Sequence, residues 1–71
     1  REALLFVIEE ETNPKYFSIH RLAHYCLDLA EMFDTTRIVP VVIFLRAGQP
    51  QFSLELGGER HRYLSFHYLS C

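Results

Sequence analysis

The sequence has few of the residues that would place it in a specialised structural class. Among its 71 residues there are two cysteines, three glycines, three prolines and no tryptophan. Two cysteines are too few for the disulfide framework of a small secreted domain, so we expect a reduced, cytoplasmic protein. No apolar run approaches the roughly 20 residues that a membrane-spanning helix needs, so we expect no membrane partner.

The chain also lacks a strong charge of either sign, because seven basic and nine acidic side chains give a formal net charge of −2. This balance excludes a strongly basic protein that coats DNA, but it allows a nucleic-acid enzyme whose positive charge is local. Apolar residues make up 49 % of the chain and charged residues 23 %, which are ordinary globular values. A chain of this size can build one core, so we expect residues 1–71 to form a single domain.

Both ends of the sequence fall beside strand-like runs. The chain begins at Arg1, without a methionine, directly before an apolar stretch, and it ends at Cys71 as another strand-like run finishes. We therefore expect these residues to be a fragment of a longer protein.

The first half of the chain predicts a strand and then a helix. Residues 3–8 form a continuous apolar run, which is typical of a strand in the middle of a sheet covered on both faces. Residues 14–33 have helical periodicity, with Asn13 or Thr12 as the cap and Pro14 in the first turn. The apolar side of this helix consists of Ile19, Leu22, Ala23, Cys26, Leu29, Ala30 and Phe33, and the opposite side carries Arg21, His24, Tyr25, Asp28 and Glu31.

A second apolar run, residues 38–45, follows the helix and predicts a crossover between two parallel strands. Pro40 cannot donate a hydrogen bond to a neighbouring strand, so we expect it near the start of its strand or at an edge.

The last third of the chain predicts a hairpin. Residues 51–56 alternate like a half-exposed strand, Gly57-Gly58 is typical of a two-residue turn, and Arg60 to Leu69 would be the return strand. The predicted fold class is therefore α/β, with a strand–helix–strand crossover followed by a hairpin in a mixed sheet.

Three consecutive glutamates at the end of the first strand are the most informative residues for function. Side chains alternate along a strand, so Glu9 and Glu11 should emerge on one face and Glu10 on the other. Two carboxylates on one side at the carboxyl end of a parallel strand suit a hard cation such as Mg²⁺. The alternative is a solvated strand end that also charges the start of the following helix.

Short motifs in a fixed order resemble a known nuclease family. Leu5 to Ile8 lead into the glutamates, Arg21 and Tyr25 lie four residues apart on the helix, and Pro40-Val41-Val42 lies in the second strand. The run from Tyr63 to Tyr68 is similar to the family's downstream aromatic strand. The order and spacing of these motifs resemble those of the recombination-promoting nuclease and transposase family, which belongs to the PD-(D/E)XK nuclease superfamily. The resemblance covers nearly the whole chain.

The resemblance implies a restriction-endonuclease-like core fragment with four site residues. Glu9 matches the metal-binding glutamate of the family. Glu11 stands where the family has lysine or glutamine, and we interpret it as a second metal ligand or a base. Arg21 and Tyr25 match the helix pair, in which the guanidinium would contact a phosphate or a carboxylate. The alternative for this arginine is an ion pair with Asp28 or Glu31 on its own helix.

Two functions follow from this resemblance. The first is a fragment of a magnesium-dependent DNA endonuclease, in which Glu9 and an aspartate upstream of this chain hold the cation. Only Glu2 is acidic before Glu9, and it is too close to lie on a separate strand, so the metal site within the chain would be incomplete. The second is a catalytically inactive α/β interaction or assembly module, which can form a homo-oligomer through an open sheet edge.

Three other groups of residues are weaker candidates. His20 and His24 have the i, i+4 spacing of zinc ligands, but a third ligand would have to come from His61 or His67, and solvated histidines are the favoured interpretation. Cys26 lies on the apolar helix face, where a thiol is inert and its pKa is raised. The alternating basic and aromatic run Arg60-His61-Arg62-Tyr63 suits either a nucleic-acid backbone or a solvated strand.

Overall fold

A computed structural model describes residues 2–71. In chain order the elements are strand β1 (Leu5–Glu11), a 3₁₀ turn (Pro14–Tyr16), helix α1 (Ile19–Met32), and strands β2 (Ile38–Phe44), β3 (Ser53–Gly57), β4 (Arg62–His67) and β5 (Leu69–Ser70). The predicted α/β class with parallel and antiparallel strands is confirmed. No helix in the described part is long and apolar enough to cross a membrane.

The crossover prediction is confirmed by the pairing of β1 with β2. These strands are parallel, in register from Leu5 opposite Ile38 to Glu11 opposite Phe44, and α1 lies between them in the chain. β5 pairs in parallel with the other side of β2, where Val41 faces Leu69, so the strand order is β1-β2-β5.

Pro40 lies within the central strand at a position that needs no donor. The Arg37 carbonyl accepts from Leu5 of β1, whereas the Val42 carbonyl accepts from Cys71, so even-numbered residues of β2 direct their backbone groups towards β5. β5 begins to pair only at Val41. Pro40 therefore lacks its N–H on the side of β2 where β5 has not yet begun to pair. At this position β2 is locally an edge strand, as predicted.

The helix begins later than its periodicity predicts. Ser18 is the N-cap, and its Oγ accepts a hydrogen bond from the Arg21 backbone N–H at 3.2 Å. Asn13 instead caps the separate 3₁₀ turn, by accepting from the Lys15 N–H at 3.1 Å. The predicted helix over 14–33 is wrong in its first five residues, because Phe17 and Ser18 are extended and break the helix.

The core lies between α1 and the parallel sheet. Its buried side chains are Ile19, Leu22, Cys26, Val42 and Tyr68. Tyr68 comes from the short link between β4 and β5, and its hydroxyl donates to the Gln51 carbonyl at 2.8 Å. Phe17 packs against this ring with a centroid separation of 5.1 Å, so one aromatic cluster joins the hairpin to the helix and the parallel sheet.

The predicted single return strand from Arg60 to Leu69 is wrong. It divides into β4 and β5, because Tyr68 turns into the core and the chain then pairs with β2. β3 and β4 form a two-stranded antiparallel sheet of their own.

The predicted two-residue turn at Gly57-Gly58 is also wrong. Gly57 is the last residue of β3 and faces Arg62, so the loop spans the four residues 58–61. Gly57 has a φ of 125° beside a bulge, and an added Cβ would lie 2.2 Å from the His61 carbonyl oxygen. Only glycine fits this backbone without strain.

The predicted covering of both faces of β1 is not found within residues 2–71. Burial alternates along the strand, with Val7 on the core side, while Phe6 and Ile8 are 61 % and 65 % exposed on the other. β1 also lies at the edge of its sheet, not in the middle. One helix covers one face, so a continuous apolar run here marks a sheet with one open face.

Candidate functional site at the carboxyl end of β1

The alternation of β1 brings two of the three glutamates together. Glu9 and Glu11 face the helix side, and each side chain is only 18 % exposed. Glu10 lies on the opposite, open face and is exposed. This is the arrangement that strand alternation predicts for the three residues.

Arg21 neutralises this carboxylate pair from the first turns of α1. Its Nη2 donates to Glu9 Oε1 at 2.9 Å and lies 3.9 Å from Glu11 Oε2. The hydrogen bond to Glu9 is the main reason that the pKa of Arg21 is raised, and the charge of the same carboxylate adds to it. The alternative pairing of this arginine with its own helix is wrong, because the guanidinium reaches across to β1.

The second carboxylate oxygen of Glu9 has no partner in residues 2–71. Oε2 is buried and accepts no hydrogen bond, although Oε1 of the same group is bound by Arg21. A buried polar oxygen without a donor costs free energy, typically about 1–3 kcal/mol and more when the group is charged. This oxygen is the one unsatisfied acceptor among the buried side chains described, and it lies inside the candidate site.

Tyr25 and Cys26 continue the site along the helix. Tyr25 lies one turn after Arg21 and is half-exposed. Cys26 faces the core, as predicted, and burial is the main cause of its raised thiol pKa, with the charge of Glu9 second. The thiol is therefore held in its neutral form beside the carboxylates and is not an activated nucleophile.

The donor chemistry of the site fits a hard cation in part. Two carboxylates share one face, and Mg²⁺ commonly uses one or two carboxylates with water and substrate phosphate as the other ligands. No cluster of three or more His, Cys, Asp or Glu side chains suited to a metal ion occurs in residues 2–71. Arg21 supplies the positive charge here, so a cation at Glu9 requires the guanidinium to move away.

A serine, a histidine and a glutamate meet on the hairpin, which the sequence patterns did not single out. His67 Nε2 lies 2.9 Å from Ser65 Oγ and 3.6 Å from Glu55 Oε1. Both partners contact the same ring nitrogen, whereas a catalytic triad needs the acid and the hydroxyl on opposite nitrogens. Ser65 and His67 are two residues apart on β4, and Glu55 lies opposite Ser65 on β3. Strand register alone brings these side chains together, so this contact is a surface pairing.

The remaining candidates lie apart from the glutamates or on the surface. His20 and His24 are exposed on α1. The basic and aromatic run Arg60–Tyr63 is exposed at the hairpin loop, where the His61 and Tyr63 rings lie 5.8 Å apart.

Comparison with known proteins gives no match among family models, curated proteins or solved structures. The family resemblance in the sequence therefore stays a prediction.

Proposed function

We propose that the chain is part of a magnesium-dependent DNA endonuclease related to recombination-promoting nucleases, with DNA as its partner. In this proposal Glu9 and an aspartate upstream of this chain bind the cation, Glu11 assists as a second ligand or a base, and Arg21 contacts the phosphate. The observation that supports it most directly is the buried, unpartnered Oε2 of Glu9 next to a second carboxylate. The two free cysteines are compatible with the cytoplasmic setting that such an enzyme would have.

Each site residue has a role that its position allows. A bound cation would polarise the scissile phosphate and lower the pKa of a coordinated water. Arg21, whose side chain is 43 % exposed, would exchange its contact with Glu9 for a non-bridging phosphate oxygen. Tyr25, one helical turn after Arg21, would position the phosphate by a hydrogen bond.

Plasmid nicking by the full-length protein in the presence of Mg²⁺ tests the proposal, because the cation site needs the aspartate upstream of this chain. Glu9→Gln keeps the shape of the side chain but removes its charge, so we expect nicking to fall by about a hundredfold or more. Glu10→Gln is the matched control, because it makes the same change one residue away on the opposite face. Equal nicking by Glu9→Gln and the unaltered protein, or an equal loss in the control, would refute the assignment.

The alternative function, a catalytically inactive α/β module, has one specific observation in its favour. The hydrogen-bonded pair of Arg21 and Glu9 already offsets the charge of the strand end without a cation. If this pair is structural, Mg²⁺ should not change the thermal midpoint of unfolding, and no nicking should occur at any Mg²⁺ concentration. A module of this kind would act through its surfaces, one of which is the free edge of β1.

A further inference from the structure

The free edge of β1 presents a regular row of unpaired backbone groups. The Leu5 N–H donates to Arg37 and the Glu11 carbonyl accepts from Leu45, so odd-numbered residues of β1 direct their backbone groups towards β2. The backbone groups of Phe6, Ile8 and Glu10 therefore point away from the sheet. Within residues 2–71 no strand pairs with this side of β1.

The same residues carry exposed apolar side chains. Phe6 and Ile8 lie on the open face of the sheet, more than half exposed, and Leu69 of β5 lies on that face with 59 % exposure. Soluble proteins usually blunt a sheet edge with charge, proline or a covering element. None of these protects β1 between Leu5 and Ile8 in the described chain, so the edge is suited to accept another strand.

The charge pattern of β1 selects the direction in which a second copy can pair. A parallel partner would set the three glutamates beside their equivalents, and like charges directly opposite each other destabilise a sheet. An antiparallel partner related by a two-fold axis would place the two acidic ends at opposite ends of the interface. In the register with the two-fold axis at Val7, Phe6 of one copy faces Ile8 of the other in a hydrogen-bonded pair.

This antiparallel pairing also provides a partner for two unpaired charges. In that register Glu10 faces Leu4 of the other copy, and Arg37 is the next neighbour of Leu4 in the direction of β2. Alternation places both side chains on the open face, about 10 Å apart between Cα atoms and within their combined reach. Neither residue forms an ion pair within residues 2–71.

We propose that two copies of this chain associate through antiparallel pairing of β1 with β1, held by Phe6–Ile8 contacts and two Glu10–Arg37 ion pairs. The result is a continuous six-stranded sheet, β5-β2-β1-β1-β2-β5. The proposal concerns residues 2–71 and uses the free edge and open face of β1 and not Glu9, Glu11 or Arg21.

Sedimentation equilibrium on the 71-residue chain tests this proposal by a charge exchange. Glu10→Arg and Arg37→Glu should each weaken dimerisation by about tenfold, since the two-fold axis places each contact in the interface twice. The double variant should restore most of the loss. Within one copy the two residues lie about 20 Å apart along the sheet, so restoration reports contact between copies.

A backbone variant separates strand pairing from side-chain contact. The chain is short enough for chemical synthesis, and N-methylation of Ile8 removes one outward N–H while keeping the side chain. We expect the variant to be a folded monomer by circular dichroism and sedimentation. A monomeric unaltered chain at about 100 μM, a dimer that survives N-methylation, or a double variant weaker than either single one would overturn the proposal.

Discussion

At the scale of single residues, the site divides into a part that the sequence predicts and a part that it does not. The separation of Glu9 and Glu11 from Glu10 follows from strand alternation alone, and the structure has this arrangement. The sequence leaves two kinds of partner open for Arg21, a group of the site or an acidic residue of its own helix, and the structure has the carboxylate of Glu9. Periodicity could not choose between them, because it places the helix backbone and not the end of a long, flexible side chain.

Arg21→Gln should destabilise the fold modestly. It leaves two carboxylates facing each other at the end of β1 without a neutralising charge, and both are largely covered. We expect the free energy of unfolding to fall by about 1 kcal/mol at low ionic strength and by less in 0.5 M salt. Urea titrations at the two salt concentrations measure this. A loss that does not depend on salt would contradict an electrostatic role.

The two cysteines should differ in reactivity and in their effect on stability. Cys26 is buried and burial raises the pKa of its thiol, whereas Cys71 is exposed, so iodoacetamide should modify Cys71 first. A thiol whose pKa is higher in the folded state than in the unfolded state contributes stability below the unfolded-state pKa. This contribution is lost as the pH rises through the folded-state pKa. Stability should therefore decline above about pH 8.5, and Cys26→Ala should remove the part of this decline below about pH 10, where Tyr68, whose pKa burial also raises, does not yet contribute. Equal alkylation rates at both thiols would contradict the prediction.

At the scale of elements, helix ends were predicted less well than helix faces. The apolar side of α1 packs as its periodicity predicts, with Leu22 fully buried, but Phe33 at the end of the predicted stripe is half-exposed. The helix ends in a Schellman motif, in which the Thr35 N–H donates to Ala30 and the Asp34 N–H to Glu31. The sequence does not predict this motif, because an aspartate occupies the position where glycine is usual.

Asp34→Gly should stabilise the protein. Asp34 has a φ of 48°, which glycine adopts without strain, and its negative charge lies at the unfavourable end of the helix dipole. We expect a gain of about 0.5–1 kcal/mol in the free energy of unfolding. Asp34→Asn separates the two causes, since it removes the charge but keeps a side chain. If Asp34→Ala stabilises as much as the glycine variant, the backbone explanation is wrong.

The two adjacent glycines of the hairpin should respond differently to the same substitution. A Cβ at Gly57 would collide with the His61 carbonyl, whereas a Cβ at Gly58 meets nothing within 4 Å. Gly57→Ala should therefore cost about 2 kcal/mol or more, and Gly58→Ala should be nearly neutral. Thermal unfolding of both variants checks this. Equal costs would indicate a turn centred on the pair, as the sequence pattern predicted.

At the scale of the whole molecule, the order of elements was predictable, but the layers were not. A run such as residues 3–8 is apolar whether it lies between two layers or at an edge with one open face, so periodicity alone cannot distinguish them. The division of the last strand depends on Tyr68. In the sequence this residue continues the alternation of a strand, but in the structure its ring is buried in the core. Long-range packing decides both features.

The two sheets should open independently, because the hairpin is attached to the rest of the molecule at few places. Its main attachments are Leu54 and Phe66, which pack against the core, and the Tyr68 ring cluster. β2 lies between two strands and contains the fully buried Val42. Amides of β2 should therefore exchange with solvent most slowly, and those of β3 and β4 at least tenfold faster.

Mass spectrometry of deuterated peptides covering 38–44 and 53–67 measures this difference in exchange rate. Leu54→Ala should widen the difference, because it loosens only the hairpin. Equal protection of the two segments would show that the two sheets unfold as one cooperative unit.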